Sequence, residues 1–300
     1  MVPVSFVSFV LNTRAIWIGL AIMVVSQAAT LAKIEPFWSW NTPIAWTGFL
    51  IFADAVVWRA RRDSWIHSAP CEFMLLALAS VPLWLVFEGF NRWIRNWHYV
   101  GLPENPALRY FGYAWSFATI WPALFMGAEL IAIARAGRPI PPALPAPPAL
   151  PALPARPARP ALPALLSVAA GALMLTSPFL VSRAMAQYMA APVWLGFIFL
   201  LDPVNRLRGG ESLWSDWGAG RHDRLINLTL SGFLCGVLWE LWNYWSHAKW
   251  HYTVPIMENL KIFEMPVPGY FGFPAFALEC FTMYVFTRRL FTRGGRTIGL

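Results

Sequence analysis

Residues Phe87–Tyr99 read FEGFNRWIRNWHY, and residues Trp239–Tyr252 read WELWNYWSHAKWHY. Each stretch carries a glutamate after an aromatic residue, an asparagine three positions on, and a closing Trp-His-Tyr. A proline follows soon after each, Pro103 in the first and Pro255 in the second. Upstream, Trp46-Thr47-Gly48-Phe49 leads to Asp54 with the spacing by which Trp194-Leu195-Gly196-Phe197 leads to Asp202. Downstream, Phe111-Gly112-Tyr113 answers Phe271-Gly272-Phe273, and Pro122-Ala123 answers Pro274-Ala275 more loosely. Matched motifs in one order with similar gaps mark an internal duplication.

The medium in which the copies fold follows from composition. Of 300 residues, 58% are hydrophobic and only 13% charged, too little charge to cover a water-facing surface. The 18 Trp and 22 Phe include many at the ends of apolar runs, the depth that aromatic rings favour at a bilayer interface. Eight segments are apolar enough to cross about 30 Å of hydrocarbon, which takes roughly 20 helical residues. They lie near 15–33, 43–59, 71–91, 111–134, 164–182, 186–202, 224–245 and 269–288. The second and sixth are the shortest. Ser26-Gln27-Ala28 has the small-x-small look of a signal-peptide cleavage site, but the segment reads as a retained transmembrane helix. No stretch alternates with the period-two pattern of a membrane barrel.

The sequence therefore predicts an all-α polytopic membrane protein of about eight transmembrane helices. Residues 1–135 and 164–300 form two four-helix repeats, joined by a Pro/Ala-rich linker at 136–163 that includes PIPPALPAPPALPALPARPARPALP. Repeated proline forbids a helix interior, so the linker reads as polyproline-like or disordered, a spacer or a docking segment. An even number of spans per repeat gives both copies the same up-down sense, related by a pseudo-two-fold along the membrane normal.

The formal charge of +8 does not point to nucleic acid, because the basic residues fall in short clusters between apolar segments. With the amino terminus cytoplasmic, sixteen of the 23 basic residues fall on the cytoplasmic side, at Arg14 and in clusters at 59–62, 135–159, 206–224 and 288–296. Lys33, Arg92, Arg95, Arg109, Arg183, Lys249 and Lys261 fall on the other. That bias fits the positive-inside rule and predicts a bacterial inner-membrane protein with both termini cytoplasmic. Cys71, Cys235 and Cys280 have no ligand spacing, which argues against a disulfide framework or zinc site and for buried packing.

Acids near a bilayer mark candidate sites. Asp54 and Asp202 end their helices beside cytoplasmic arginines, where an ion pair with Arg59 or Arg206, or a turn, accounts for them. Glu88 and Glu240 lie near the outer ends of the third and seventh spans, so the two sets cannot form one site. Glu88 with Asn91, and Glu240 with Asn243, share a helix face. An aromatic setting disfavours an ionised carboxylate, so either glutamate is a candidate proton donor. The structural alternatives are an ion pair of Glu88 with Arg92, which the Tyr244 of the second copy cannot repeat, or hydrogen bonds to the Trp-His-Tyr loops. Trp93, Trp245, Trp97, Trp250, Tyr99 and Tyr252 are the candidate ligand-binding residues around them. His98 and His251 occupy equivalent outer-loop positions, where a two-fold would pair them as haem or metal ligands. Interfacial anchoring suits them equally, and no CxxCH haem-attachment motif is present. No cofactor is predicted, and haem or pigment contact is the open alternative. No Walker loop, GxSxG elbow, HExxH or Rossmann fingerprint occurs.

WELWNYW, KWHYTVP, KIFEMP and FGFPAFALECF resemble uncharacterised bacterial integral membrane proteins with the same tandem organisation, over most of the chain outside the linker. A second likeness is to the integral-membrane carotenoid (lycopene-type) cyclases, small helical units used in pairs with surface carboxylates beside prolines and aromatics. Pro255-Ile256-Met257-Glu258 and Glu264-Met265-Pro266 are the residues that carry it, although the paired acid of that family is missing. This likeness implies an isoprenoid- or lipid-processing enzyme in which Glu88 or Glu240 protonates a double bond. The missing catalytic signature favours instead an accessory or lipid/pigment-binding subunit of a respiratory or photosynthetic assembly. Its partners would be the bilayer, other membrane subunits and a hydrophobic lipid or isoprenoid ligand. A channel or carrier ranks third, since the acids cluster at the two surfaces.

Overall fold

The structure, a computed structural model, describes residues 6–136, 162–292 and 294–300, with side chains from residue 13 onward. Most of the linker lies outside the described residues. The first half runs α1 (Phe6–Leu31), α2 (Phe37–Arg61), α3 (Trp65–Ser68), α4 (Pro70–Ile94), β1 (Trp97–Val100), α5 (Pro106–Ala118) and α6 (Ile120–Ala136). The second runs α7 (Leu162–Leu180), α8 (Arg183–Ala186), α9 (Ala190–Leu207), α10 (Leu213–Gly218), α11 (Asp223–Tyr244), β2 (Lys249–Tyr252), β3 (Lys261–Ile262), β4 (Met265–Pro266), a 3-10 turn at Val267–Phe271, and α12 (Gly272–Phe291). The class is α-helical, with two short antiparallel ribbons, β1–β2 and β3–β4.

Proline marks two irregularities. Pro43 offers no N–H to its own preceding turn, and Trp40 just before it leaves helical geometry, kinking α2. Pro122 likewise cannot bond Ala118, and the expected fourth span divides at Thr119 into α5 and α6. Asn105 caps α5, its side chain accepting from the Ala107 N–H at 2.9 Å.

Among the described residues, five helical segments are long and apolar enough to cross a membrane: Thr13–Leu31, Pro70–Ile94, Pro106–Ala136, Leu162–Leu180 and Asp223–Tyr244. The other three expected segments are helices α2, α9 and α12, which are long enough but not apolar enough to join them. For α2 and α12 the reason is position. Both are largely buried and turn polar groups such as Asn41 and Asp54, or Glu279 and Thr282, into protein rather than outward. By contrast α1, α4 and α7 expose large apolar side chains such as Val24, Leu78 and Leu173, each over 60% accessible.

The duplicated Trp-x-Gly-Phe motif has a packing role. A Cβ on Gly19 would lie 2.6 Å from the Gly48 carbonyl oxygen, and one on Gly171 2.7 Å from that of Gly196. Gly48 and Gly196 are the motif glycines, so each marks where the first long helix of its half crosses the second with the backbones nearly touching.

The repeated aspartates take the turn role. Buried Asp54 accepts from the Ile66 N–H at 2.7 Å and pairs with His67 Nδ1, while buried Asp202 accepts from Ser212 Oγ and the Leu213 and Trp214 N–H groups at 2.8–3.0 Å. Each anchors the short helix that follows, α3 or α10. Around this end of the bundle several arginines form ion pairs rather than lying free in loops. Arg288 bridges Glu72 at 3.0 Å and Glu211 at 2.8 Å, and Arg296 bridges Asp63 at 2.6 Å and Glu129 at 2.9 Å. The segment 294–300 lies against the bundle, with Ile298 fully buried and Asn227 Nδ2 donating to the Gly299 carbonyl at 2.9 Å. Cys235 and Cys280 are buried as expected, but Cys71 is exposed at the start of α4, correcting the packing role expected of all three.

Candidate functional site

The Trp-His-Tyr segments, expected as loops, form strands and pair with each other. β1 and β2 run antiparallel with His98 opposite His251, Trp97 opposite Tyr252, and Tyr99 opposite Trp250. Side chains alternate across a strand, so the two Trp–Tyr pairs share one ribbon face and the histidines the other. One strand comes from each half.

The asparagines hold this ribbon to its helices. Asn91 Nδ2 donates to the Trp97 carbonyl at 2.8 Å while its Oδ1 accepts from the Asn96 N–H at 2.9 Å. Asn243 repeats the device, donating to the Trp250 carbonyl at 2.8 Å and accepting from its N–H at 3.0 Å. An amide does this well because it carries a donor and an acceptor side by side.

Beneath the aromatic face lies a cavity of about 490 Å³. Trp97, Tyr99, Trp250 and Tyr252 line it from the ribbon, with Trp84, Phe117, Trp194, Trp239 and Phe276 among the helical residues. The rings interlock: Trp194 meets Phe276 edge-on at 5.1 Å between centroids within the second half, and Phe87 of the first half stacks on Trp194 at 5.2 Å. Trp84 was legible in principle, one helical turn before Glu88. Trp194 and Phe276 gave no local signal of a shared site.

The two glutamates stand behind this wall in unlike settings. Glu88 Oε1 accepts from Tyr99 OH at 2.5 Å, Trp84 Nε1 at 2.9 Å and Trp97 Nε1 at 3.2 Å, in place of an ion pair with Arg92. Glu240 is fully buried; its Oε1 accepts from Tyr252 OH at 3.1 Å, and among the described residues its Oε2 has no partner of good hydrogen-bond geometry. Burial first, and the neighbouring glutamate second, push the Tyr99 and Tyr252 phenols well above their ordinary pKa, so both stay protonated and donate.

Trp93 and Trp245 lie apart from the cavity. Trp93 Nε1 donates to the Pro178 carbonyl at 2.6 Å under the Arg183 guanidinium, and Trp245 packs on Tyr244 and Phe263. The His98 and His251 rings are 5.8 Å apart on the outer ribbon face, and His251 Nδ1 is 2.8 Å from Glu264 Oε2. Burial would raise the Glu264 carboxyl, but its bonds with Lys249 and His251 outweigh that and hold it below the usual range. Among the described residues no three His, Cys, Asp or Glu side chains are grouped to hold a metal ion.

No family model, no curated protein and no solved structure matches this chain.

Proposed function

We propose that this protein is a multi-pass inner-membrane protein whose two halves enclose a site for a hydrophobic ligand, a lipid, isoprenoid or pigment, and that it serves as a binding subunit of a larger membrane assembly. The observation that carries the reading is the aromatic cavity roofed by one strand from each half. Ligand sites are typically apolar hollows of about 300–1,000 Å³, and this one falls in that range. The reading includes eight spans, as parallel four-helix repeats at 1–135 and 164–300 around the 136–163 linker, with both chain ends cytoplasmic. Three features support the duplication: the ladder centred on the His98–His251 pair, the matched glycine crossings, and the matched aspartate anchors. An antiparallel ladder has its two-fold normal to the ribbon, which here points into the cavity. Helices α2, α9 and α12 complete the eight, with the polar groups of α2 and α12 turned into protein.

The test is native mass spectrometry of the chain drawn from its own membrane in mild detergent. Co-purified apolar molecules or partner subunits are the expected result. A chain that retains neither, and whose melting temperature ignores added acyl or isoprenoid lipids, overturns the proposal.

A second reading rests on the unpartnered, buried Oε2 of Glu240. A protonated Glu240 would pass its proton by way of the Tyr252 hydroxyl, which lines the cavity, to a ligand double bond, the π pair forming the new C–H bond. Tryptophan and tyrosine faces would stabilise the resulting cation, which becomes a new double bond by returning a proton from an adjacent carbon along the same route to the Glu240 carboxylate. Under this reading Glu240→Gln abolishes product with ligand still bound; unchanged product refutes it.

A further inference from the structure

We propose that the cavity takes one long hydrocarbon chain, laid across both halves, whose ends pass out over Gly112 and Gly272. The inference rests on reading the cavity as a ligand site and specifies what fills it.

Gly112 and Gly272 are the central residues of the matched Phe111-Gly112-Tyr113 and Phe271-Gly272-Phe273 motifs, and both line the cavity. Among the described residues, a Cβ built on either meets nothing within 4 Å. Neither has a positive φ. Gly112 sits inside α5, where alanine would favour the helix more. Neither packing nor backbone geometry therefore requires glycine at these two places, in contrast to the crowded Gly48 and Gly196. What a side chain would remove is open space along the cavity wall, once in each half.

Volume sets the length. At about 30 Å³ per water-sized group, 490 Å³ holds roughly sixteen methylene-sized groups, so a longer chain must extend beyond the enclosed part. The lining also argues for a chain and against an anionic head. Its two cations are already engaged: Arg109 Nε donates to the Pro103 carbonyl at 2.9 Å, and Lys249 pairs with Glu264 at 2.9 Å. In lipid, chain burial alone yields little, because the bilayer is equally apolar. Selectivity must come from fit against the fixed rings.

The experiment measures binding of octanol, eicosanol and geranylgeraniol to the full chain in detergent by native mass spectrometry. It compares wild type with Gly112→Leu, Gly272→Leu, the milder Gly112→Ala, and Gly89→Leu. Gly89 also has open space around it but does not line the cavity, so it serves as the control. Overfilling either exit should weaken the long alcohols by about tenfold or more while octanol changes by less than about twofold. Gly89→Leu should bind as wild type, and Gly112→Ala should fall between. A preference for eicosanol assigns an acyl chain, and a preference for geranylgeraniol, also of twenty carbons, an isoprenoid. Long alcohols that bind the folded leucine variants as they bind wild type, or an equal loss of octanol, overturn the path but leave the ligand site standing. Failure of folded wild type to bind any of the three overturns the ligand site itself.

Discussion

Replacing Arg296 by methionine should destabilise the protein by about 3 kcal/mol, the lower end of the roughly 3–5 kcal/mol range for removing one partner of a buried ion pair. The Arg296 side chain is 9% accessible and its Nε lies 2.9 Å from Oε1 of Glu129, itself 2% accessible on α6. Among the described residues Glu129 Oε2 has no partner, and Arg296 supplies the direct hydrogen bond to this carboxyl group. Methionine keeps much of the apolar stem, so the loss is mainly electrostatic. Arg61 lies close enough to feel the Glu129 charge, which keeps the cost at the low end. The pair to Asp63 adds little, because Asp63 is half exposed. At roughly 2–4 °C per kcal/mol for chains of this size, the melting temperature should fall on the order of ten degrees. Differential scanning fluorimetry in a mild detergent reads the shift. Glu129→Gln combined with Arg296→Met should recover most of it, because no buried charge is then left alone. An Arg296→Met variant that melts with wild type, or a double variant no better than the single one, refutes the reasoning.

Tyr252→Phe should cost about 1–3 kcal/mol, since it strips Glu240 of its tyrosine donor, and Tyr99→Phe should cost less, since two indole N–H groups remain on Glu88. Melting the two variants side by side checks the order. Because the folded-state pKa of Glu264 is lowered, its stabilising contribution is present above its ordinary value of 4.5 and fades as pH falls through the folded value. Thermal melts across that acid window should show the loss, and Lys249→Met, which weakens the depression, should show less of it. A membrane-impermeant maleimide should label Cys71 from the cytoplasmic face and leave buried Cys235 and Cys280 untouched. Labelling from the outer face alone reverses the proposed topology.

The helices were legible in the sequence because their cause is local: apolar runs of bilayer length, broken by Gly, Pro and charge, appear wherever the chain is read. The matched motifs were equally plain, since a duplication leaves its record in spacing. What those motifs do was left between alternatives, and the structure takes the turn for the aspartates and hydrogen bonds to the Trp-His-Tyr segments for the Glu–Asn pairs. Asp54 and Asp202 stood beside arginines in the sequence, yet they bond the short helices that follow. Asn91 and Asn243 hold strands that no local pattern announced, because each strand exists only by pairing with its counterpart about 150 residues away. Trp93 and Trp97 looked alike as candidates; only Trp97 reaches the cavity, because the ribbon turns it inward while Trp93 reaches α7. Glu129 lay unnoticed within an apolar span, and its partner Arg296 is 167 residues away. Which side of a helix faces a neighbour, and which buried charge meets its opposite, depends on how the two halves dock. That docking is a property of surfaces brought together in space, and tertiary structure alone decided it.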